Sequence, residues 1–305
     1  MRPKVFIILG PTATGKSEVA LELATTLNAD ILNADSQQVY RHMDIGTGKP
    51  SAAERKRVAH HLIDIIDPDE EFNVAVFRRL AMQAIGAVRE RDGKVIVCGG
   101  TGLYLKALTR GLFVGPEPSG ELREELAREI EEKGLGYVYS RLMRVDPATD
   151  SRIHPHDRQR IIRALEVYEL TGRPMSQWQE EHQFRDEPFE TLKIGLGRER
   201  AELYEQIHQR VERMVAEGFV EEVRALATKG YSLDLKPLQS IGYRQIGALV
   251  RGRMTLEEAV EDIKRETRHL AKRQLTWFRR DEEVHWYHPE RDRGNIAKAA
   301  KDFFG

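Results

Sequence analysis

The sequence predicts an α/β fold, a parallel sheet flanked by helices and interrupted by an all-helical insertion. Three observations predict it. Over the N-terminal third, short β-branched apolar runs closed by glycine alternate with stretches of helical periodicity. The alternation then stops, and helical periodicity alone runs from about residue 116 to residue 183. Strand-like sequence returns after that, so the helical block reads as an insertion into one α/β domain.

Residues 5–9 (VFIIL) form an apolar run ended by Gly10 and Pro11, as expected of a strand buried on both faces. Residues 16–27 carry Val19, Ala20, Leu23, Ala24 and Leu27 at the spacing of one helical face. Ile31 and Leu32, and then residues 62–66, are expected further strands; residues 74–91 read as a helix closed by the turn Asp92-Gly93. Residues 94–98 are a second clear buried strand, ended by Gly99-Gly100 before a helix to about Leu108. Gly115-Pro116-Glu117-Pro118 stiffens the entry to the helical block, and Asp186-Glu187-Pro188 marks its exit. Strands at 191–196 and 284–287 bracket long helices. The expected division is therefore core residues 1–116, a helical insertion at 117–189, and a return to the core at 190–305.

Composition narrows the function. The chain has 305 residues, 40% hydrophobic and 32% charged, which excludes a disordered or fibrous protein. Its formal net charge of −1 supplies no global field toward nucleic acid, although 48 basic side chains can still be sorted onto one face. No apolar run approaches the roughly 18–20 residues that span a bilayer. The apolar run after Met1-Arg2-Pro3-Lys4 is too short for a signal peptide, so the expected location is the cytoplasm, with no membrane partner. One cysteine, Cys98, excludes an intramolecular disulfide and a cysteine-rich metal site.

Gly10-Pro11-Thr12-Ala13-Thr14-Gly15-Lys16-Ser17 matches G-x-x-x-x-G-K-[ST] in the required place, after a strand and opening a helix. Such a loop curls its N–H groups inward at a helix N-terminus, making a seat for an anion. Lys16 brings a mobile cation to phosphate oxygens, and the Ser17 hydroxyl is a ligand for Mg²⁺. The sheet is thus expected to be P-loop NTPase-like, binding a diphosphate or triphosphate group. A nucleotide or small-molecule kinase, binding ATP, is the default reading. It meets one mismatch: the strand at 94–98 runs into Gly99-Gly100-Thr101 without the acid that nucleotide hydrolysis places there.

The nearest acid is Asp35, after the second strand. In an open parallel sheet the loops after the strands share one rim, so Asp35-Ser36 and Thr101 open beside the phosphate loop. A carboxylate and a hydroxyl there suit a general base and an orienting group. A turn or helix N-cap role for Asp35 is equally compatible with the residues alone.

Seven blocks together resemble the tRNA dimethylallyltransferase family, also called tRNA isopentenyltransferase: 10–17 (GPTATGKS), 35–50 (DSQQVYRHMDIGTGKP), 60–67 (HHLIDIID), 99–106 (GGTGLYLK), 160–167 (RIIRALEV), 242–245 (GYRQ) and 272–279 (KRQLTWFR). They follow the family's order across about residues 5–280. The departures are mild: Thr14, Gln37 and Gly48 stand where serine, methionine and alanine are common. The resemblance implies transfer of the dimethylallyl group from dimethylallyl diphosphate to N6 of the adenosine at tRNA position 37, with release of diphosphate. It makes Asp35 the general base, Thr101 the orienting group, and Lys16 with Mg²⁺ on Ser17 the holders of the departing anion. Arg210 is a further expected diphosphate contact.

The resemblance also implies tRNA contacts. Beside the rim these are Asp35, Ser36, Gln37, Gln38 and Thr101; in the turn at 240–245 they are Ser240, Gly242, Tyr243 and Arg244. In the insertion, which would grip the anticodon stem-loop, they are Arg123, Gln159, Arg160, Ile161, Ile162 and Arg163; spacing independently reads Ile161, Ile162 and Leu165 as core. Residues 264–280 (KRETRHLAKRQLTWFRR) make an amphipathic helix by spacing. Ile263, Leu270, Ala271, Leu275, Trp277 and Phe278 fall on one side, and Lys264, Arg265, Arg268, Lys272, Arg273 and Arg279 mainly opposite. A basic face of this kind is often merely solvated. With the family pattern, RNA contact by Arg268, Lys272, Arg273, Trp277 and Arg279 becomes the expectation. The histidine pairs His60-His61 and His154/His156 read as hydrogen-bonding or loop residues rather than metal ligands. The expected enzyme is a monomeric, Mg²⁺-dependent prenyltransferase; the alternatives are the kinase and a non-catalytic RNA-binding protein.

Overall fold

A computed structural model describes residues 2–113 and 115–305; Met1 and Val114 lie outside the described residues. The first stretch contains β1 (Lys4–Leu9), α1 (Lys16–Leu27), β2 (Ala29–Asn33), α2 (Ala52–Arg57), β3 (His60–His61), α3 (Val74–Arg89), β4 (Lys94–Gly99) and α4 (Gly102–Arg110). The helical stretch contains α5 (Gly120–Lys133), α6 (Leu135–Val145), α7 (Pro147–Asp150), α8 (Arg158–Thr171) and α9 (Met175–His182). The return contains β5 (Glu190–Leu196), α10 (Arg200–Ala216), α11 (Phe219–Thr228), a 3₁₀ turn (Lys236–Gln239), α12 (Tyr243–Val250), α13 (Leu256–Phe278), β6 (Val284–Tyr287) and α14 (Arg293–Phe304). Two compact units result: Met1–Thr109 with Glu187–Gly305, and Arg110–Asp186.

The first unit is built on a six-stranded sheet in the order β3-β2-β4-β1-β5-β6, with every pairing parallel. Alternation along β1 sorts its side chains: Val5, Ile7 and Leu9 join one core, Phe6 and Ile8 the other. The first core gathers α3, α4 and the helices of the return through Phe77, Leu108, Phe219, Ile246 and Phe278. The second gathers α1 and α14 through Ala20, Leu23, Ile296 and Ala300. Both faces are covered, which is why the strands read as unbroken apolar runs. Because all strands point the same way, the loops after β1, β2 and β4 emerge on one rim. Gly10, which starts the first of these loops, has φ +140°, and a Cβ there would lie 2.5 Å from the Leu196 carbonyl oxygen.

One expected strand is not formed. Residues 62–66 supply a single bridge, Tyr40 with Ile66, and pairing beside β2 is confined to His60 and His61. Leu62 (φ +61°) and Asp64 (φ +55°) are left-handed, which breaks any ladder. The segment is a folded loop whose Asn33 anchor, donating to the Leu62 carbonyl at 3.0 Å, draws it against the rim.

The helical unit has its own core of Leu126, Val138, Leu142, Ile153, Ile161, Ala164 and Leu165. Glu166 is fully buried there, accepting from Arg123 Nε (2.8 Å), Arg123 Nη2 (3.0 Å), Arg163 Nη1 (2.6 Å) and the Ser119 amide (2.9 Å). Among the described residues no helix is long and apolar enough to cross a membrane.

Candidate active site

The rim holds a cavity of about 480 Å³ whose wall includes Lys16, Ser17, Asp35, Arg210, Arg213 and Gln274. Three rim loops build it. The phosphate loop is pinned from within by Thr14, whose buried hydroxyl donates to the Pro11 carbonyl at 2.9 Å. Gly15, left-handed at φ +86°, turns the chain into α1 and aims its first amides at the cavity. Lys16 Nζ donates to the same Pro11 carbonyl at 2.7 Å. Burial drops the Lys16 ammonium pKa to about 8, against a smaller upward pull from nearby groups including Asp35.

After β2, Asp35 is half-buried, and its amide donates to Asn33 Oδ1 at 3.1 Å. Its Oδ1 accepts from the Gln37 amide at 2.8 Å, so the carboxylate closes a local turn with one oxygen. Oδ2 carries no hydrogen bond among the described residues and is the oxygen left for a ligand. The turn reading of Asp35 is thereby realised, and Oδ2 stays open to the cavity that Asp35 lines. Ser36 donates its amide to the Thr101 hydroxyl at 3.1 Å, and the Thr101 amide donates to Ala34 at 3.2 Å, which knots the β2 and β4 loops together. Thr101 is not part of the cavity wall, although Gly99 and Gly100 before it are.

A third wall comes from the return. Arg210 on α10 donates to the Thr47 carbonyl at 3.2 Å, and burial lowers its pKa from the usual guanidinium value. Gln38, expected to meet RNA, instead sends its amide to Thr47 (3.3 Å) and Gly48 (3.2 Å) and is buried beneath them while lining the cavity. The preceding loop is clamped by Glu222, which accepts from the amides of Asp44 (2.9 Å), Ile45 (2.7 Å) and Gly46 (3.1 Å). Glu222 also accepts from the Tyr243 hydroxyl at 2.6 Å.

Burial corrects several expected RNA contacts. Tyr243 is 1% exposed and belongs to the core, its hydroxyl answered by Glu222. Ile161 is 0% exposed in the helical core, with Ile162 packed against it. Arg123 and Arg163 both turn to Glu166, so their charge is answered within the helical unit. Gln159 and Arg160 remain exposed, Arg160 beside Asp157 at 3.3 Å. Arg244 is exposed, next to the buried turn at Gly242.

On α13 the expected inward and outward faces change at two points. Lys264 is buried, bridging Glu212 at 2.9 Å and Glu261 at 3.0 Å, because two carboxylates make burial of a cation tolerable. Trp277, placed inward by spacing, is 40% exposed and rests against Gly102. Arg268 lies over the Tyr204 ring and reaches His208 at 2.8 Å. Lys272, Arg273 and Arg279 are exposed and carry no ion pair among the described residues.

Several cavity residues escaped the sequence reading, Arg198, Arg213 and Gln274 among them. Arg198, 6% exposed in its side chain, joins the wall beside the phosphate loop while held by Glu290 at 2.7 Å and by Glu202. Gln274 contacts the phosphate loop directly. Its sequence signal was faint: a polar residue in the register of a buried helical face, after Thr267 and Ala271 and before Phe278.

Comparison with known proteins gives the site a context. The family model described as IPP transferase matches residues 38–281. A tRNA dimethylallyltransferase of Syntrophobacter fumaroxidans is 50% identical, over 98% of this chain and 87% of that protein. One from Geobacter sulfurreducens is 49% identical, over 100% and 98%. Among solved structures, the full-length tRNA isopentenylpyrophosphate transferase of Bacillus halodurans superposes with a TM-score of 0.73 at 38% identity, covering 99% of this chain and 97% of that one. A eukaryotic dimethylallyltransferase acting on tRNA superposes with a TM-score of 0.82 at 27% identity, covering 98% and 77%.

Proposed function

The chain belongs to the tRNA dimethylallyltransferase family, and from that premise we propose that it moves the dimethylallyl group of dimethylallyl diphosphate onto N6 of the adenosine at tRNA position 37. The observation that carries the reading is one cavity walled by both a phosphate loop and the Asp35 carboxylate, with no acid where β4 ends. A cradle without a hydrolytic acid suits a phosphate that is leaving.

The adenine N6 lone pair is delocalised into the ring, so the amine attacks only as its proton departs. Asp35 Oδ2 takes that proton while N6 bonds to the allylic carbon and the carbon–oxygen bond to diphosphate breaks. The Thr101 hydroxyl accepts from the Ser36 amide and so holds the loop that carries Asp35, orienting the base toward the amine from behind the cavity wall. On the leaving side, the loop amides, Lys16 and Arg210 stabilise the anion that forms. Ser17 opens into the cavity directly after Lys16, and a hydroxyl beside phosphate oxygens and water fits the oxygen-rich shell of Mg²⁺. Ser17 would be the residue to hold Mg²⁺ there, and the ion would supply charge neutralisation for the leaving diphosphate. For the RNA, the exposed Lys272, Arg273 and Arg279 on α13, with Gln159 and Arg160 on the helical unit, supply phosphate contacts.

Incubation with Mg²⁺, unmodified tRNA and radiolabelled dimethylallyl diphosphate is the direct test. Label in RNA is the expected result. Consumption of ATP with a small phosphorylated product, and no label in RNA, would replace this reading by the kinase.

A further inference from the structure

Gln274 lies on α13 in the register of its buried face, three residues after Ala271 and four before Phe278. Its side-chain amide spans two rim loops. Oε1 accepts from the Thr12 backbone amide at 2.9 Å, and Nε2 donates to the Gly100 carbonyl at 2.9 Å. A Cβ on Gly100 would stand 2.6 Å from Nε2, so this close approach depends on glycine.

The two loops do different work. Thr12 belongs to the cradle for the diphosphate. Gly100 immediately precedes Thr101, whose hydroxyl holds Ser36 beside Asp35. One amide therefore sets the spacing between the leaving-group side and the proton-accepting side of the cavity. It does so from the helix that also carries the exposed cations Lys272 and Arg273.

We infer that Gln274 is a positioning residue for prenyl transfer, fixing the cradle against the base so that the attacking amine, the allylic carbon and the diphosphate stay in line. The inference rests on the transferase reading. Reacting atoms must be held about 3–3.5 Å apart, and a misplacement of about 1 Å is worth roughly 10²-fold in rate. The contact demands one donor and one acceptor on a single planar group, which only an amide or a protonated acid of this length supplies. A carboxylate at this position still accepts from Thr12 but sets a second acceptor against the Gly100 carbonyl. Protonation restores the donor. The charged groups sharing the cavity, Lys16, Glu18, Asp35, Glu54, Arg198, Arg210, Arg213 and Glu290, and His60 with them, are common to both proteins, so their titration cancels when variant and wild type are compared at each pH.

The test measures kcat and KM for label transfer into tRNA by wild type, Gln274→Ala and Gln274→Glu across about pH 5.5–8.5. Gln274→Ala is expected to lower kcat about 10²-fold while KM for tRNA changes less than about threefold. For Gln274→Glu, the ratio of its kcat to that of wild type is expected to rise as pH falls, a signature that general loss of packing would not produce. Wild-type kcat in Gln274→Ala, or a Gln274→Glu ratio flat with pH, would overturn the inference while leaving the transferase reading intact. A wild-type protein that transfers no label to RNA would overturn both.

Discussion

Lys16 Nζ donates to the Pro11 carbonyl at 2.7 Å, so the cation of the phosphate loop is folded back onto the backbone of its own loop. A diphosphate oxygen must compete with that carbonyl for the ammonium group. The competition is winnable because burial has already stripped the amine of water and brought its pKa down to about 8. An entering anion favours the charged form, so binding below that pH needs no proton and binding above it must capture one. Affinity for inorganic diphosphate is therefore expected to fall as pH rises through about 8, by up to roughly tenfold per pH unit. Lys16→Arg, charged throughout this range, should lose that step. Calorimetric titrations of both proteins against pH check this; parallel curves would mean that another group titrates.

Asp35 Oδ1 accepts from the Gln37 amide, and the proposed role of base falls to Oδ2. Asp35→Asn keeps an Oδ1 acceptor for the turn and removes the basicity. Its kcat is expected to drop about 10²–10⁴-fold, the usual range for a lost general base, with the Kd for tRNA within about threefold of wild type. Binding measured by filter retention and turnover measured by label transfer separate the two. Normal turnover with a large affinity loss would make Asp35 a binding residue.

What could be read from the chain beforehand divides by the range of the signal. The strands at 5–9 and 94–98 and the phosphate loop between strand and helix are local patterns, and the structure places them as read. Residues 62–66 look equally strand-like in composition, yet the left-handed backbone at Leu62 and Asp64 depends on tethers such as Asn33 that no local window contains. Lys264 is drawn inward by a carboxylate from α10, a contact between helices that periodicity cannot foresee. Gln274 meets a loop 262 residues earlier in the chain, and the only trace of this is a polar side chain in an apolar register. Cavity-lining residues carried by a motif were legible; those brought in by tertiary contact, such as Arg198 and Gln274, were not.

The basic face of α13 is smaller than its sequence suggests, because Lys264 and Arg265 are spent on Glu212, Glu261 and Asp262. Lys272 and Arg273 are the cations left exposed in mid-helix. Replacing both by alanine is expected to weaken tRNA binding and to flatten its salt dependence by roughly 0.7–0.9 log unit per log unit of salt for each phosphate contact removed. Arg268→Ala should change that slope less, since its guanidinium is engaged by Tyr204 and His208. Affinity measured at several salt concentrations decides the matter, and an unchanged slope in the double variant would mean that this face is only solvated.

Glu166 makes the helical unit sensitive to acid. Burial pushes its carboxyl upward, but the hydrogen bonds from Arg123, Arg163 and the Ser119 amide outweigh that and hold it below the ordinary carboxylate value of 4.5. A carboxyl with a lowered folded pKa binds its proton more tightly in the unfolded chain. Its contribution is then complete above the unfolded value and is lost as pH falls through the folded one. Removing one partner of a buried pair costs about 3–5 kcal/mol at most, and the partial exposure of both arginines places Glu166→Ala toward the lower end. That variant should unfold in the helical unit first, with early proteolytic cuts within residues 110–186, while its affinity for inorganic diphosphate stays at the wild-type level. Glu166→Gln should show a shallower loss of stability than wild type as pH falls below the ordinary carboxylate value of 4.5, because the group that titrates is gone. Equal acid profiles would place the pH sensitivity elsewhere, and loss of diphosphate binding in Glu166→Ala would show that the two units do not fold independently.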